Sequence, residues 1–392
     1  MTAPRSLPSV GLALATLALT PATAQPPYPP SPVISEMTLD WSTHRRDAQG
    51  SDNFQLTWSD DNQLYGAWGD GSGFGPDDSR ESLGFSRIEG DWDNYRGYNV
   101  WGGRNPEHPA QFPGKSWGTI SVGGVLYSWV IPDNPDLSGY GHHYRYSDDR
   151  TIAWPRDHYR YIQLIRSTDH AATWEIAPWR WWREDNLIVP TFLNYGRDND
   201  GAPDPYIYSY FIRPERLDAT QANHKLSVHR PGALFLARVH RDHLFAGRDA
   251  YEWFTGLENG RPMWGPLAAK QPVFENPEGT GWCVSAIYNP GLKRYLLTTE
   301  HRTSHAGLLG IFDAPTPWGP WTTVAYWTEE KRFGAERPGS ELPWGDNVFF
   351  AAFVPKWWSE DGTEFTLTFT GGGKGKDNDS LNTIRGRFLL HK

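Results

Sequence analysis

Ser51-Asp52-Asn53-Phe54-Gln55-Leu56-Thr57-Trp58-Ser59-Asp60-Asp61-Asn62-Gln63-Leu64-Tyr65-Gly66-Ala67-Trp68-Gly69-Asp70-Gly71 reads as a β-hairpin. Two runs rich in aromatic and aliphatic residues flank Ser59–Asn62, and Asp and Asn favour tight turns because their side chains bond nearby backbone amides. Centring the turn on Asp61 sets Trp58 opposite Leu64. Continued outward, the same register sets Asp52 opposite Asp70. Short runs of this kind recur along the chain, bounded by Gly, Pro, Asn and Asp, while helical periodicity is almost absent. The expected strands are Phe54–Trp58, Leu64–Trp68, Val122–Trp129, Tyr161–Ile165, Tyr206–Phe211, Ala233–Val239, Cys283–Tyr288, Arg294–Thr299, Gly307–Phe312, Val348–Val354, Glu364–Thr370 and Thr383–Leu390. The fold class is therefore all-β.

Regularly spaced short strands allow a sandwich, a barrel or a propeller. Two segments favour the β-propeller. Ser167-Thr168-Asp169-His170-Ala171-Ala172-Thr173-Trp174 resembles the Asp-box, S-x-D-x-G-x-T-W, a hairpin turn repeated in propeller blades. It departs at Ala171, where glycine would avoid a left-handed penalty of about 1–2 kcal/mol. Gly319-Pro320-Trp321 resembles an inter-strand turn common in sugar-cleaving propellers. The expected domain plan is a signal peptide at 1–24, a Pro-rich linker at 25–35 and one propeller at 36–392, most simply five-bladed.

The signal reading rests on Arg5, the apolar run Val10–Leu19 and the small-x-small site Ala22-Thr23-Ala24. That run is too short for a membrane span. A secreted or periplasmic protein without membrane insertion follows as an expectation, and a monomer is the simplest state. The 15 % aromatic content, with 21 Trp, supplies much of the core. Cys283 is the only cysteine, which excludes an intrachain disulfide. The formal charge of −9, without basic clusters, argues against nucleic acid and anionic membranes as partners. A neutral polysaccharide or oligosaccharide remains as the expected partner.

Cross-strand neighbours have Cβ atoms about 4.5–5.5 Å apart, so the 51–71 register would place the Asp52 and Asp70 carboxyls together. Like charges so close favour protonation of one of them. Glycoside cleavage uses this arrangement, with one carboxyl as acid and its partner as base or nucleophile. Gly69, Gly71 and Gly73 would leave room for a ligand. The bland alternative is a pair of solvated strand-end acids.

The segment TWSDDNQLYGAWGDGSGF (57–74) resembles the start of domain-of-unknown-function family 4185, which contains secreted endo-D-arabinanases. Segments 190–214, 281–301 and 380–388 are similar in the same order and extend the resemblance over most of the chain. The resemblance implies a five-bladed propeller with Asp52 and Asp70 as catalytic carboxylates. It does not select one activity within the family.

Glu300-His301-Arg302 follows an expected strand and offers an acid, an imidazole and a guanidinium to bind substrate, against a structural ion pair. His301 and His305 have a spacing that aligns metal ligands only on a helix, so no metal is expected there. Asp198-Asn199-Asp200-Gly201 has the opening of a calcium loop without its distal ligands, and an Asx turn is favoured. Asp204 stands just beyond as a possible third, substrate-orienting carboxylate. His142–Tyr146 and Asp157–Tyr161 carry the runner-up reading, a polysaccharide lyase with a His or Tyr base and a cation for the uronate. Trp174, Trp179, Trp181, Trp182, Trp357 and Trp358 could stack sugars, in a catalytic cleft or in a non-catalytic binding propeller. Gly371–Gly375 lacks the Ser/Thr and the helix of a phosphate loop. No cofactor is implied.

Overall fold

The 51–71 hairpin forms as its composition predicts near the turn, with Thr57 opposite Tyr65 and Trp58 opposite Leu64. It opens a series of antiparallel sheets in the computed structural model, which describes residues 1, 25–75, 81–102, 108, 110, 112, 114–132, 161–215, 228–335, 348–371 and 379–392. Residues 2–24 of the expected signal peptide and both His/Tyr/Arg segments, apart from Tyr161, lie outside the described residues, as does most of the 371–375 glycine run.

Strand β1 (Ile34–Asp47) comes first in the chain but last in the architecture. The first sheet is β2 (Leu56–Trp58), β3 (Leu64–Trp68), β4 (Gly84–Glu89) and β5 (Arg96–Trp101). The second holds β6 (Gly114–Val122), β7 (Val125–Pro132), β8 (Tyr161–Ser167), β9 (Glu175–Ile176) and β10 (Trp181–Trp182). In the third, β11 (Ile188–Asn194), β12 (Tyr206–Ile212), β14 (Gly232–His240), β15 (Tyr251–Glu258) and β16 (Arg261–Gly265) run in order, with β17 (Pro272–Asn276) pairing β14. Beside it, β13 (Val228–His229) and β18 (Thr280–Gly281) form a two-stranded ribbon. The fourth is β19 (Val284–Asn289), β20 (Arg294–Glu300), β21 (Leu309–Ala314) and β22 (Thr322–Tyr326). In the last, β23 (Phe349–Phe353), β24 (Glu364–Thr370) and β25 (Leu381–Leu390) are completed by β1. Helical turns among the described residues are short 3-10 pieces such as Arg197–Asn199. The all-β expectation therefore stands.

One expected strand is two. Val122–Trp129 breaks at Gly123 and Gly124, whose φ values of 61° and 75° supply the left-handed turn between β6 and β7. The Asp-box-like turn does form. Ser167 Oγ donates to Asp169 Oδ1 (2.7 Å), Thr173 N donates to the same oxygen (2.9 Å), and Ala171 takes φ 71° in place of glycine.

The apolar cores lie between consecutive sheets. Phe85 and Trp101 of the first sheet meet Leu126 and Ile165 of the second. Trp129 and Leu164 meet Phe192 and Phe211 of the third. Leu234 and Phe274 meet Leu297 and Phe312 of the fourth. Leu296 and Ile311 meet Phe365 and Phe388 of the last. Val354, Trp357 and Leu381 of the last sheet then return to Leu64 and Trp68 of the first. The sheets thus close into a ring, and the Trp residues proposed for sugar stacking pack within these cores.

Polar side chains join the leading strands around the middle. Thr57 Oγ1 accepts from Ser121 N (3.0 Å) and donates to Asn194 Oδ1 (3.1 Å). Gln55 accepts from Thr191 Oγ1 (2.9 Å) and donates to Val284 O (2.7 Å). β11 and β19 also meet in a short parallel pair, Leu193 beside Ala286, which joins the third and fourth sheets. The start of each leading strand consequently faces one end of the ring.

Candidate functional site

Asp52 precedes β2 at that end. It bridges Gly69 rather than Asp70, with Asp52 N donating to Gly69 O (2.9 Å) and Gly69 N returning the bond (3.0 Å). The straight register is thus corrected by one residue. Asn53, at φ 66°, and the Gln55 N to Asn53 O bond (2.9 Å) absorb the extra residue as a bulge. Asp70 also takes a left-handed φ, 59°, which re-aims its side chain.

That side chain, itself partly buried, meets the buried Lys115, contributed by β6, in an ion pair. Lys115 is 6 % exposed and Asp52 7 %. A methyl placed on Gly69 would lie 2.8 Å from Asp52 Oδ1 and 3.5 Å from Lys115 Nζ, so both groups face the same point above this glycine. Gly71 and Gly73 do not share that role. A Cβ on Gly71 would strike Ser51 and Gly50, and one on Gly73 would strike Trp68 and Asn99. These two glycines permit close chain packing rather than ligand access.

Glu300 arrives from the fourth sheet. β19 and β20 pair with Val284 opposite Thr299, so Glu300 ends β20 beside Cys283, at the same end of the ring as Asp52. The Cys283 thiol is pushed well up by burial and by the carboxylates of Glu300 and Asp52, which puts both acids within electrostatic reach of one sulfur. Glu300 is 1 % exposed. Its Oε1 accepts from His305 N (2.8 Å), and Ser304 Oγ lies 3.3 Å from Oε2. Burial nevertheless dominates and pushes its pKa up to about 8. A Cβ on Gly281 would fall 2.9 Å from Glu300 Oε2, so glycine is needed for the carboxyl to sit where it does.

The neighbouring positions have other work. His301 is fully buried, stacks on Tyr326 at 4.0 Å and places Nε2 2.9 Å from Trp327 O, so it is a core residue with its pKa depressed to about 4. Arg302 pairs with Glu329 (2.9 Å) and Glu278 (3.5 Å). The substrate-binding trio expected here therefore supplies only Glu300 to the carboxylate group. His301 and His305 point to different partners and do not converge on a metal. Asp204 is corrected by topology. It precedes β12, whose start lies beside the end of β11, opposite the end that Asp52 occupies. Its oxygens accept from Tyr206 N (2.9 Å) and Tyr208 OH (2.8 Å). Asp198 accepts from Ser121 Oγ (2.7 Å) and Gly124 N (3.0 Å), tying a turn of the third sheet to the second. Asp60 and Asp61, both exposed, lie close to the half-buried His170, whose Nε2 is 2.9 Å from Asp60 Oδ1.

Asp52, Asp70, Lys115 and Glu300 thus come from three sheets to one end of the ring. Lys115 carried no signal in GKSWG, because its role depends on the re-aimed Asp70. In the sequence Cys283 reads only as a solitary thiol at the start of an expected strand.

No family model matches the chain, and no curated protein matches it. Among solved structures, the chain is similar to the GH43_1 enzyme from Xanthomonas citri at 14 % identity, covering 88 % of each chain with a TM-score of 0.43. It is similar to a xylan β-1,4-xylosidase from Bacillus halodurans at 11 % identity and TM-score 0.45, covering 86 % of this chain and about half, 53 %, of that one. A protein of unknown function from Dyadobacter fermentans is similar at 10 % identity and TM-score 0.46, covering 91 % of this chain and all of that one. These are likenesses of coarse build.

Burial of Glu300 links its proton to folding. The unfolded group titrates near 4.5 and the folded one near 8. The stabilising contribution of the protonated folded form is complete below about pH 4.5 and is lost as pH rises through 8, by about 1.4 kcal/mol per unit. In urea titrations at pH 5 and pH 8.5, the wild type should lose several kcal/mol more than Glu300→Gln. Parallel pH dependence of the two proteins would refute burial of a protonated Glu300.

Proposed function

We propose that the chain is an exported five-bladed β-propeller glycoside hydrolase that cuts a polysaccharide, with a furanoside such as D-arabinan as first candidate. The observation that carries this reading is the gathering of Asp52, Asp70 and Glu300 around Gly69, Cys283 and Lys115. It is supported further by the family 4185 resemblance and by a ring in which five apolar cores lie between successive sheets.

The chemistry divides among three carboxyls. Glu300, protonated at neutral pH, gives its proton to the leaving oxygen. Asp52, whose Oδ1 lies with Lys115 Nζ over Gly69, serves as base or nucleophile. Asp70 with Lys115 fixes charge beside Asp52 and orients it. No cofactor enters the reaction.

The test incubates the purified protein with D-arabinan, L-arabinan and uronate polymers, reading new reducing ends and ultraviolet absorbance together. New reducing ends without absorbance support the hydrolase. Absorbance from an unsaturated product would establish the lyase instead, and saturable binding without cleavage would leave a carbohydrate-binding propeller.

A further inference from the structure

Residues 28–31, within the Pro-rich stretch, form a strap across three sheets. The Tyr28 ring packs against Phe274 of β17 (5.2 Å) and Phe312 of β21 (5.9 Å), and its hydroxyl accepts from Glu275 N (2.7 Å). Thr323 of β22 holds the backbone that follows. Its Oγ1 donates to Tyr28 O (2.8 Å), its N donates to Pro29 O (2.7 Å), and its carbonyl accepts from Ser31 N (2.8 Å). Ser31 is buried and donates to Asp313 Oδ2 (3.0 Å), and its carbonyl lies 3.1 Å from Nε2 of His391, the residue after β25. Three residues stand between Tyr28 and the expected cut after Ala24: Gln25 and Pro26, both exposed, and the half-buried Pro27. Trimming past Pro27 would therefore take Tyr28 and release the strap from the third and fourth sheets.

A cut after Ala22-Thr23-Ala24 makes glutamine the first residue of the exported chain. Before the cut its nitrogen is a peptide amide, whose lone pair is delocalised into the carbonyl. Afterwards it is a primary α-amine within reach of its own side-chain amide, and intramolecular reactions gain greatly from such proximity. The next two bonds both run to proline, which lacks a backbone N–H, so the exopeptidase that opens them is an X–Pro aminopeptidase acting on a primary α-amine. We propose that residue 25 becomes pyroglutamate, a cap that shields the strap from trimming. The Gln25 amine attacks Cδ, the new N–Cδ bond closes a five-membered lactam, and the Cδ–Nε2 bond breaks. Nε2 leaves as ammonia, carrying the proton that the amine sheds. The product is lighter by one ammonia, about 17 Da, and lacks the positive charge of the terminal amine. The cap requires the export reading and is independent of the hydrolase reading.

The test expresses the full chain in a bacterium with its own leader, recovers the exported product and incubates it at neutral pH. Intact-mass spectrometry should give residues 25–392 less one ammonia, with fragmentation placing the loss on residue 25. Edman degradation should yield no first residue, because a lactam nitrogen does not couple to the reagent. Gln25→Ala should be cut at the same bond, keep its full mass and release alanine in the first Edman cycle. An X–Pro aminopeptidase should then shorten Gln25→Ala and leave the wild type at its starting mass. A wild-type product that releases glutamine in the first cycle overturns the cap and leaves the export reading standing. A product that begins at any other residue overturns the cap together with the cut it requires. Equal resistance of the two proteins to the aminopeptidase overturns the shielding role. None of these readouts uses a sugar, so failure of the cap and failure of the hydrolase reading stay distinct.

Discussion

Asp52→Asn should lower kcat by about 10²–10⁴-fold, the range a positioned acid or base contributes, while leaving the unfolding midpoint close to that of the wild type. The amide keeps the size of the carboxyl above Gly69, so the packing around it is preserved. What disappears is the negative charge needed to take a proton from water or to attack the sugar. Glu300→Gln should match the loss, because its amide holds position without a transferable proton. A leaving group that departs readily, such as a nitrophenolate, should rescue Glu300→Gln far more than Asp52→Asn, since it needs no protonation. Rescue of the reverse pattern would exchange the two roles. Full activity in Asp52→Asn would remove this carboxyl from the mechanism altogether.

The largest stability effect is expected at Asp313→Ala, a loss of about 3–5 kcal/mol in urea unfolding. Asp313 is fully buried, and its Oδ2 accepts from Arg294 Nε (2.6 Å) and Ser31 Oγ (3.0 Å), while Oδ1 accepts from Thr322 Oγ1. Truncation leaves the Arg294 guanidinium, 9 % exposed, without its counter-charge. Most of the cost is that stranded charge rather than the strength of the pair. Replacing both partners, as Arg294→Met with Asp313→Leu, should therefore recover a large part of the loss. A single variant within 1 kcal/mol of wild type would contradict burial of the charge.

Much of the strand content was legible because it is local. Runs such as Tyr206–Phe211 and Glu364–Thr370 carry aromatic and β-branched residues between turn formers, and they became β12 and β24. β1 was not legible. Its fourteen residues, Ile34–Asp47, alternate weakly and are half exposed, since they complete a sheet edge instead of filling a core. Val122–Trp129 reads as one strand because apolar residues flank its Gly-Gly pair, and that pair instead makes the turn between β6 and β7. At the site, the hairpin register holds as far as Leu56 and fails at Asn53, where a left-handed residue absorbs one step. A backbone choice at one residue thus decided which groups face Gly69. Lys115 and Cys283 join the site only through contacts between sheets distant in sequence, which no local pattern encodes.

The pairing of β1 with β25 sets an order of events. Ser35 Oγ donates to Leu389 O across a separation of 354 residues, and the residues just before β1 also bridge β22, with Ser31 N donating to Thr323 O (2.8 Å). A chain emerging from the ribosome exposes β1 first and β25 last. Its earliest strand must wait, unpaired at an edge, through almost the whole of synthesis. Such late, long-range closure makes for slow folding. The waiting strand is also the segment where a chaperone's grip or a protease's cut would matter most, since the ring has no seam to fasten until β25 arrives.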